Sequence, residues 1–389
     1  IYGDDCATEK AIPCEDINTL LQYCDQFVLA GADIAEYGED NPSLILYTSG
    51  TTGKPKGVLI SERNIFETAL NFIMLGDVDG SSGFLCESPM FHIIGMITSV
   101  RPAFICGGHV VVSDGFVPER TLSRLADPLF NISHYFCVPQ MAEALRSCPT
   151  FSPQIFANLK AVFTGGAPLR AEIIQQWLDD DIPIVNGYGS TEAGSIFGMP
   201  LSKAIIANKG SSVGIPTPRV QARLVDASGS LVVAGQSGEL QLRAGSITAG
   251  YWQNADAYER CMTSDGWFCT GDIASVDEDG FYYVVDRKKD MYISGGENVY
   301  PAEVEAQLVA YPGLTEFAVV GIPDDKWGEV GCLFFVAGSD AAGITVESIA
   351  EFLKDKLARY KLPQRICQVD RIPRTGSGKV LKQELRYYQ

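Results

Sequence analysis

Between residues 44 and 186, short apolar runs alternate with helix-patterned segments. This alternation confines the chain to α/β architecture with much parallel strand pairing. Residues 44–47 read as a short buried strand that runs into a Gly/Thr/Ser/Lys loop and then a helical pattern near 61–75. Further strands are expected at 84–88, 109–112, 134–138, 161–164 and 182–186, and helices at 119–128, 139–147 and 170–179. After about residue 209 Gly, Pro and short β-rich runs take over, at 220–226, 237–244 and 280–286. From 287 the pattern is α+β. Pro301 starts a helix through Leu308, with Glu303 and Glu305 near its positive end. Strands follow at 317–322 and 332–337, then an amphipathic helix at 346–360. The expected organisation is a large domain, 1–286, whose part 209–286 is a β-rich subdomain, and a small α+β domain, 287–389.

Charge and cysteine usage exclude several classes. Lys and Arg number 30 against 48 Asp and Glu, a formal charge of −18. That mean field repels phosphate, so general nucleic-acid or anionic-membrane binding is not expected. A phosphorylated small ligand would need local donors. The most apolar stretch, 93–112, is interrupted by Arg101, Pro102 and the Gly107-Gly108 pair, so no integral membrane association is expected. The 11 cysteines contain no CxxC pair, and His92, His109 and His134 have no metal-ligand spacing. These counts argue against a disulfide framework, a zinc ribbon or a His-rich metal site, and favour a reducing cytoplasmic location. The first residue is Ile1, which leaves a removed targeting segment open.

Chemistry concentrates in a few stretches. Tyr47-Thr48-Ser49-Gly50-Thr51-Thr52-Gly53-Lys54-Pro55-Lys56-Gly57 combines glycines that let backbone approach an anion, hydroxyls that donate to it, and lysines that add charge. It is not a Walker A loop: Pro55 stands where that pattern needs Gly, and Gly57 where it needs Ser or Thr. Thr191-Glu192 follows an apolar strand and a Gly turn, the strand end where open α/β sheets bind ligands. A carboxylate beside a phosphate loop calls for a cation, and Mg²⁺ suits carboxylate plus phosphate oxygens. Gly165-Gly166-Ala167-Pro168 follows the strand AVFT. Its small residues fit a flat stacked ring, or simply a strand-to-helix turn. Asp272 follows a turn and reads as a cap. His92, in the apolar run Pro89 to Met96, reads as a core histidine or a pocket residue, and Lys289 as a surface lysine in a charged turn.

Taken in order, these motifs resemble the adenylate-forming superfamily of acyl- and aryl-CoA synthetases, peptide-synthetase adenylation domains and firefly-type luciferases. The likeness lies in the loop 47–57, in Asn186-Gly187-Tyr188-Gly189-Ser190-Thr191-Glu192, in Gly266-Trp267-Phe268-Cys269-Thr270-Gly271-Asp272, in Asp286-Arg287-Lys288-Lys289-Asp290 and in Pro373-Arg374-Thr375-Gly376-Ser377-Gly378-Lys379. The resemblance implies ATP, Mg²⁺, CoA and a carboxylic acid as reactants. It implies phosphate contacts from Thr48, Ser49, Gly50, Thr51, Thr52, Gly53 and Lys56, and Mg²⁺ at Glu192 and Thr48 beside Thr191. Gly165, Gly166, Ala167 and Pro168 would form one wall for adenine, with Tyr188 and Gly189 as the other. Asp272 and Arg287 would hold the ribose, and Asn298 would approach the adenylate. Lys289 would be the hinge, Gly295 and Gly296 would line the CoA channel, and Lys379 would be the catalytic lysine, with Thr48, Glu192 and His92 completing the catalytic set. His92, Ile93, Gly95, Met96, Val138, Gly166, Gly189 and Ile196 would form the acyl pocket.

The resemblance also implies a longer segment before the phosphate loop than the 46 residues preceding Tyr47, so part of the first α/β layer is expected to be absent. His92 stands where amino-acid activators of the family carry Asp, and the pocket segments 92–96, 138–141, 165–166 and 189–196 contain no Arg or Lys. Both features favour an apolar acid, fatty or aryl. The expected reaction is ATP-dependent acyl-AMP formation followed by transfer to CoA. A carrier-protein-loading enzyme, a luciferase-like oxidase and a truncated nucleotide-binding fragment stand as alternatives, and a homodimer is left open.

Overall fold

The computed structural model describes residues 38–48, 55–166, 169–338, 343–374 and 380–388. Strand β1 (Pro42–Thr48) pairs antiparallel with β2 (Lys56–Ser61), placing Thr48 opposite Lys56. The expectation of a buried strand at 44–47 holds for Leu46 alone. Ile45 and Tyr47 are exposed because this sheet is a small antiparallel one, open on one face. Strand β2 occupies a stretch that the sequence assigns to loop. Helix α1 (Glu62–Gly76) starts where Ser61 Oγ accepts Asn64 N–H at 3.2 Å and Asn64 Oδ1 accepts Ser61 N–H at 3.0 Å. This reciprocal pair satisfies two amides that the first turn cannot.

The alternation predicted from sequence then follows: β3 (Gly83–Cys86), α2 (Arg101–Cys106), β4 (His109–Val112), α3 (Pro118–Ala126), β5 (His134–Cys137), α4 (Pro139–Ser147), β6 (Ala161–Thr164), α5 (Ala171–Asp179), β7 (Ile184–Ser190), β8 (Gly194–Gly198), α6 (Lys203–Lys209) and β9 (Ile215–Pro216). They build a seven-stranded sheet in the order β4-β3-β5-β6-β7-β8-β9, parallel from β4 to β7 and antiparallel beyond. Every residue of β3 and β6 is buried, as parallel strands covered on both faces require. His134 belongs to this core. Its ring stacks on Phe84 and Phe163, with centroids 4.5 Å and 5.6 Å away, and its Nε2 lies 2.8 Å from Gly76 O. Burial lowers its pKa.

Trp177 on α5 is fully buried, with Phe156 and Phe151 meeting it edge-on at 5.1 Å and 5.7 Å. Trp177→Ala should cost about 3–5 kcal/mol. A urea titration should show a lower midpoint at unchanged slope; an unaltered midpoint would remove Trp177 from the core that sets stability.

The β-rich part is a four-stranded antiparallel sheet made of β10 (Gln221–Val225), β11 (Ser237–Arg243), β13 (Phe268–Val276) and β14 (Tyr282–Arg287). Between β11 and β13, β12 (Gly250–Tyr251) leaves to pair with β2, followed by α7 (Ala255–Glu259). The C-terminal domain contains β15 (Tyr292–Ser294), β16 (Glu297–Val299), α8 (Pro301–Leu308), β17 (Leu314–Asp324), β18 (Gly328–Ala337), α9 (Val346–Leu353), β19 (Arg365–Gln368) and α10 (Lys382–Leu385). The helix expected over 346–360 ends at Leu353, where the chain turns back to lay β19 parallel to β18. This domain has its own cores, including one built around Tyr292, Val304, Leu333 and Ile349.

Candidate active site

A cavity of about 590 Å³ opens at the C-terminal ends of β3, β5, β6 and β7. This is the edge where a parallel sheet leaves its strand-to-helix loops free to hold ligand. It is lined by His92, Ile93 and Ile94, by Val138 and Met141, by Gly165 and Gly166, and by Tyr188, Gly189 and Thr191. Phe72 and Leu75 of α1, with Phe116, Phe136 and Phe163, complete an apolar wall. Of the residues read as nucleotide contacts, Gly165, Gly166, Tyr188, Gly189 and Thr191 share this cavity with the acyl segments, whereas Thr48, Lys56, Glu192, Asp272 and Arg287 do not line it.

The acyl pocket differs from expectation at three residues. Ile196 is fully buried on the other face of β8, packed with Ala193, Val213 and Leu240, while its neighbours Ser195 and Phe197 line the cavity. Successive strand residues point to opposite faces, so the segment was legible and the phase was not. Met96 packs against the core around Leu46, Val58 and Tyr251. Gly95 does not line the cavity either. A Cβ there would lie 2.4 Å from Pro89 O, so glycine lets the turn close on itself. Ile94 takes their place. Arg374, from the C-terminal domain, also lines the cavity, a basic residue outside the segments read as its pocket. It forms an ion pair with Glu316 at 3.3 Å.

Thr191 and Glu192 sit at the tip of the β7–β8 hairpin. The hairpin is tight: a Cβ on Gly189 would come within 2.2 Å of Gly194 O, and Gly194 has φ +75°. The Glu192 carboxylate accepts the Tyr251 hydroxyl at 3.1 Å, and the Lys56 ammonium lies 5.0 Å from the Tyr251 ring centroid. Since Lys56 pairs with Thr48, the β1–β2 pair and the Glu192 carboxylate are linked through Tyr251. Burial, then the Glu192 charge, pushes the Tyr251 hydroxyl well above its ordinary range. Sequence reasoning missed Tyr251, which carries no motif and reaches the site only because β12 joins β2.

Asp272 lies inside β13, opposite Arg287 of β14, and is not a cap. Its carboxylate accepts the Tyr188 hydroxyl and lies 3.4 Å from Arg287 Nε. Burial and the Asp272 charge push the Tyr188 hydroxyl far up, so it stays a donor. Three residues named from separate motifs thus form one contiguous cluster. Lys289 is exposed in the turn 288–290 between β14 and β15, and Lys288 N–H donates to Gly271 O at 2.8 Å. Gly295 and Gly296 form the exposed β15–β16 turn, with φ +61° and +90°, and Asn298 lies exposed on β16; none of the three lines the cavity. Ser49, Gly50, Thr51, Thr52, Gly53, Ala167, Pro168 and Lys379 lie outside the described residues.

The donors at Thr48 and Glu192 are hard oxygens suited to Mg²⁺. Among the described residues no group of three or more His, Cys, Asp or Glu side chains could hold a metal ion. Also among the described residues, no helix is long and apolar enough to cross a membrane.

A parallel sheet with an apolar cavity at its strand ends, a separate C-terminal domain and this ordered set of motifs defines an adenylate-forming enzyme. The chain belongs to the AMP-binding enzyme family: residues 8–252 match that family and residues 303–379 match the AMP-binding enzyme C-terminal domain. It is 38% identical to a feruloyl-CoA synthase of Amycolatopsis sp. over 349 residues, 90% of this chain and 70% of that one. It is 34% identical to an indoleacetate–CoA ligase of Aromatoleum aromaticum and to a long-chain-fatty-acid–CoA ligase of Mycobacterium tuberculosis, each match covering 90% of this chain and 68% of the relative. Among solved structures it is similar to o-succinylbenzoate CoA synthetase from Bacillus subtilis in complex with ATP and magnesium ion. That match has a TM-score of 0.80 at 28% identity and covers 90% of this chain and 70% of that one. Its class is therefore that of an AMP-forming acid–thiol ligase.

Proposed function

We propose that this chain activates an apolar carboxylic acid, fatty or aryl, to acyl-AMP and then transfers the acyl group to CoA. One observation carries the reading: the apolar wall of Phe72, Leu75, Phe136 and Phe163 is continuous, in a single cavity, with Gly165, Gly166, Tyr188 and Thr191. An apolar acid and a nucleotide would meet there. The ion pair with Glu316 answers the charge of Arg374, so the lining still favours an acid with an apolar tail.

In the first half-reaction the substrate carboxylate attacks the α-phosphorus of ATP and pyrophosphate leaves. Adenine would lie between Gly165 to Pro168 and Tyr188, and the ribose hydroxyls would donate to Asp272 beside Arg287. Thr48 and Glu192 would hold Mg²⁺, which supplies charge neutralisation at the phosphates when bound. Amides of residues 49–53, Lys56 and Lys379 would stabilise charge on the transferring group, so catalysis is mainly positioning and electrostatics. In the second half-reaction the small domain, 287–389, would rotate on the large one, 1–286, about Lys289. That would withdraw Lys379 and bring Gly295, Gly296 and Asn298 to the adenylate. The CoA sulfur then attacks the acyl carbon and AMP leaves.

The test is a panel of acids scored by CoA-dependent AMP release, with each α-amino acid paired to its desamino analogue. His92 offers no carboxylate to a substrate ammonium, and burying that ammonium unpaired costs several kcal/mol. The desamino acid should be activated at least about tenfold better. Preference for the amino acid would overturn the substrate class, and AMP release independent of CoA would overturn the acceptor.

A further inference from the structure

Asp286 has no part in the chemistry just proposed, yet it is a carboxylate only 9% exposed at the end of β14. A buried carboxylate persists where donors meet it. Here Oδ1 accepts Arg287 N–H at 2.7 Å and Oδ2 accepts Ala302 N–H at 2.7 Å. Ala302 is in the first turn of α8, on the far side of the turn 288–290. One side chain therefore ties the last strand of the large domain to the first helix of the small one.

Lys382, on α10, is anchored within the small domain. Its side chain is 13% exposed and its ammonium lies 2.8 Å from Glu305 Oε1, the oxygen that also accepts Val319 N–H at 2.7 Å. Burial disfavours this ammonium, but Glu305, then Asp286, outweigh it and raise its pKa. Burial raises the Asp286 carboxyl, and Lys382 is the first group drawing it back down. Lys382, Glu305 and Ala302 all lie C-terminal to the turn, whereas Asp286 lies N-terminal to it. A rotation about 288–290 would pull the two ends of the Asp286–Ala302 bond apart.

The arrangement in the structure is the one in which the small domain contributes Arg374 to the cavity, while Gly295, Gly296 and Asn298 stay outside it. Arg374 belongs to the segment leading to Lys379, so this face serves the first half-reaction. We propose that Asp286 is a positioning residue, a latch that holds the small domain in the adenylate-forming arrangement and opens before thioester formation. The latch rests on the domain rotation in the proposed function.

The experiment compares the full chain with Asp286→Ala and Asp286→Asn in three measurements: ATP–pyrophosphate exchange, thioester formation from a supplied acyl-adenylate and CoA, and tryptic cleavage at Lys288 and Lys289. Asp286→Ala should slow exchange about tenfold, the loss of one charged hydrogen bond. It should leave thioester formation equal or faster and make the turn several-fold easier to cleave. Asp286→Asn keeps a carbonyl oxygen for Ala302 and should fall between. Equal losses in both half-reactions would mean a merely structural role and overturn the latch, as would unchanged cleavage in Asp286→Ala. If the parent chain catalyses neither half-reaction while cleavage still rises in Asp286→Ala, the proposed function falls and the tie between the domains stands.

Discussion

Replacing Lys379 with alanine should slow acyl-adenylate formation by about 10²–10³, the usual cost of removing one donor aimed at developing charge. Thioester formation from a supplied acyl-adenylate should proceed at the parent rate, because the proposed rotation has by then withdrawn the lysine. The asymmetry is the informative part. A compact ammonium on a Gly-flanked segment answers charge on a transferring phosphoryl group and has no task in attack by a thiol. The check is a pair of assays on one preparation, pyrophosphate exchange and adenylate-to-thioester conversion. Equal damage to both would overturn the assignment of Lys379.

Asp272→Ala should raise the KM for ATP by about 10–100-fold, with a smaller effect on kcat. The proposed ribose acceptor would be lost, and two groups that the structure aims at it would lose their partner: the Tyr188 hydroxyl and the Arg287 guanidinium at 3.4 Å. The half-buried Tyr188 hydroxyl would then lack its acceptor, at a cost to the ordering of the site around nucleotide. Asp272→Asn, which keeps one acceptor oxygen, should recover part of the affinity. The measurement is pyrophosphate exchange against ATP concentration at saturating acid. An ATP KM indistinguishable from that of the parent would place the ribose elsewhere.

The candidate site was legible where its chemistry is contiguous in sequence. The run 186–192 and the segment 266–272 each carry glycines, hydroxyls and charges close together in sequence, and Tyr188 and Asp272 of these runs meet in the fold. The alternation of apolar runs and helical patterns was legible for the same reason: a parallel strand covered on both faces leaves a run of buried residues. What failed was phase and partnership. The resemblance implies Ile196 as pocket lining, but a strand turns alternate residues away, and Ser195 and Phe197 face the cavity instead. Asp272 looked like a cap because its strand begins among glycines, and only the pairing of β13 with β14 sets it opposite Arg287.

By itself the sequence determined the α/β class, the order of the motifs and the residue types that nucleotide activation requires, since each depends on neighbours a few positions apart. Tertiary structure alone decided the rest. Tyr251 meets Glu192 across 59 positions, and Asn64 holds the carbonyls of Gly245 and Ile247 across 181 and 183. Arg374 reaches the cavity from the C-terminal domain, and Asp286 grips Ala302 across the turn 288–290. Such contacts follow from how sheets and domains pack, and packing is settled by the shape and burial of the whole chain, which no local pattern encodes.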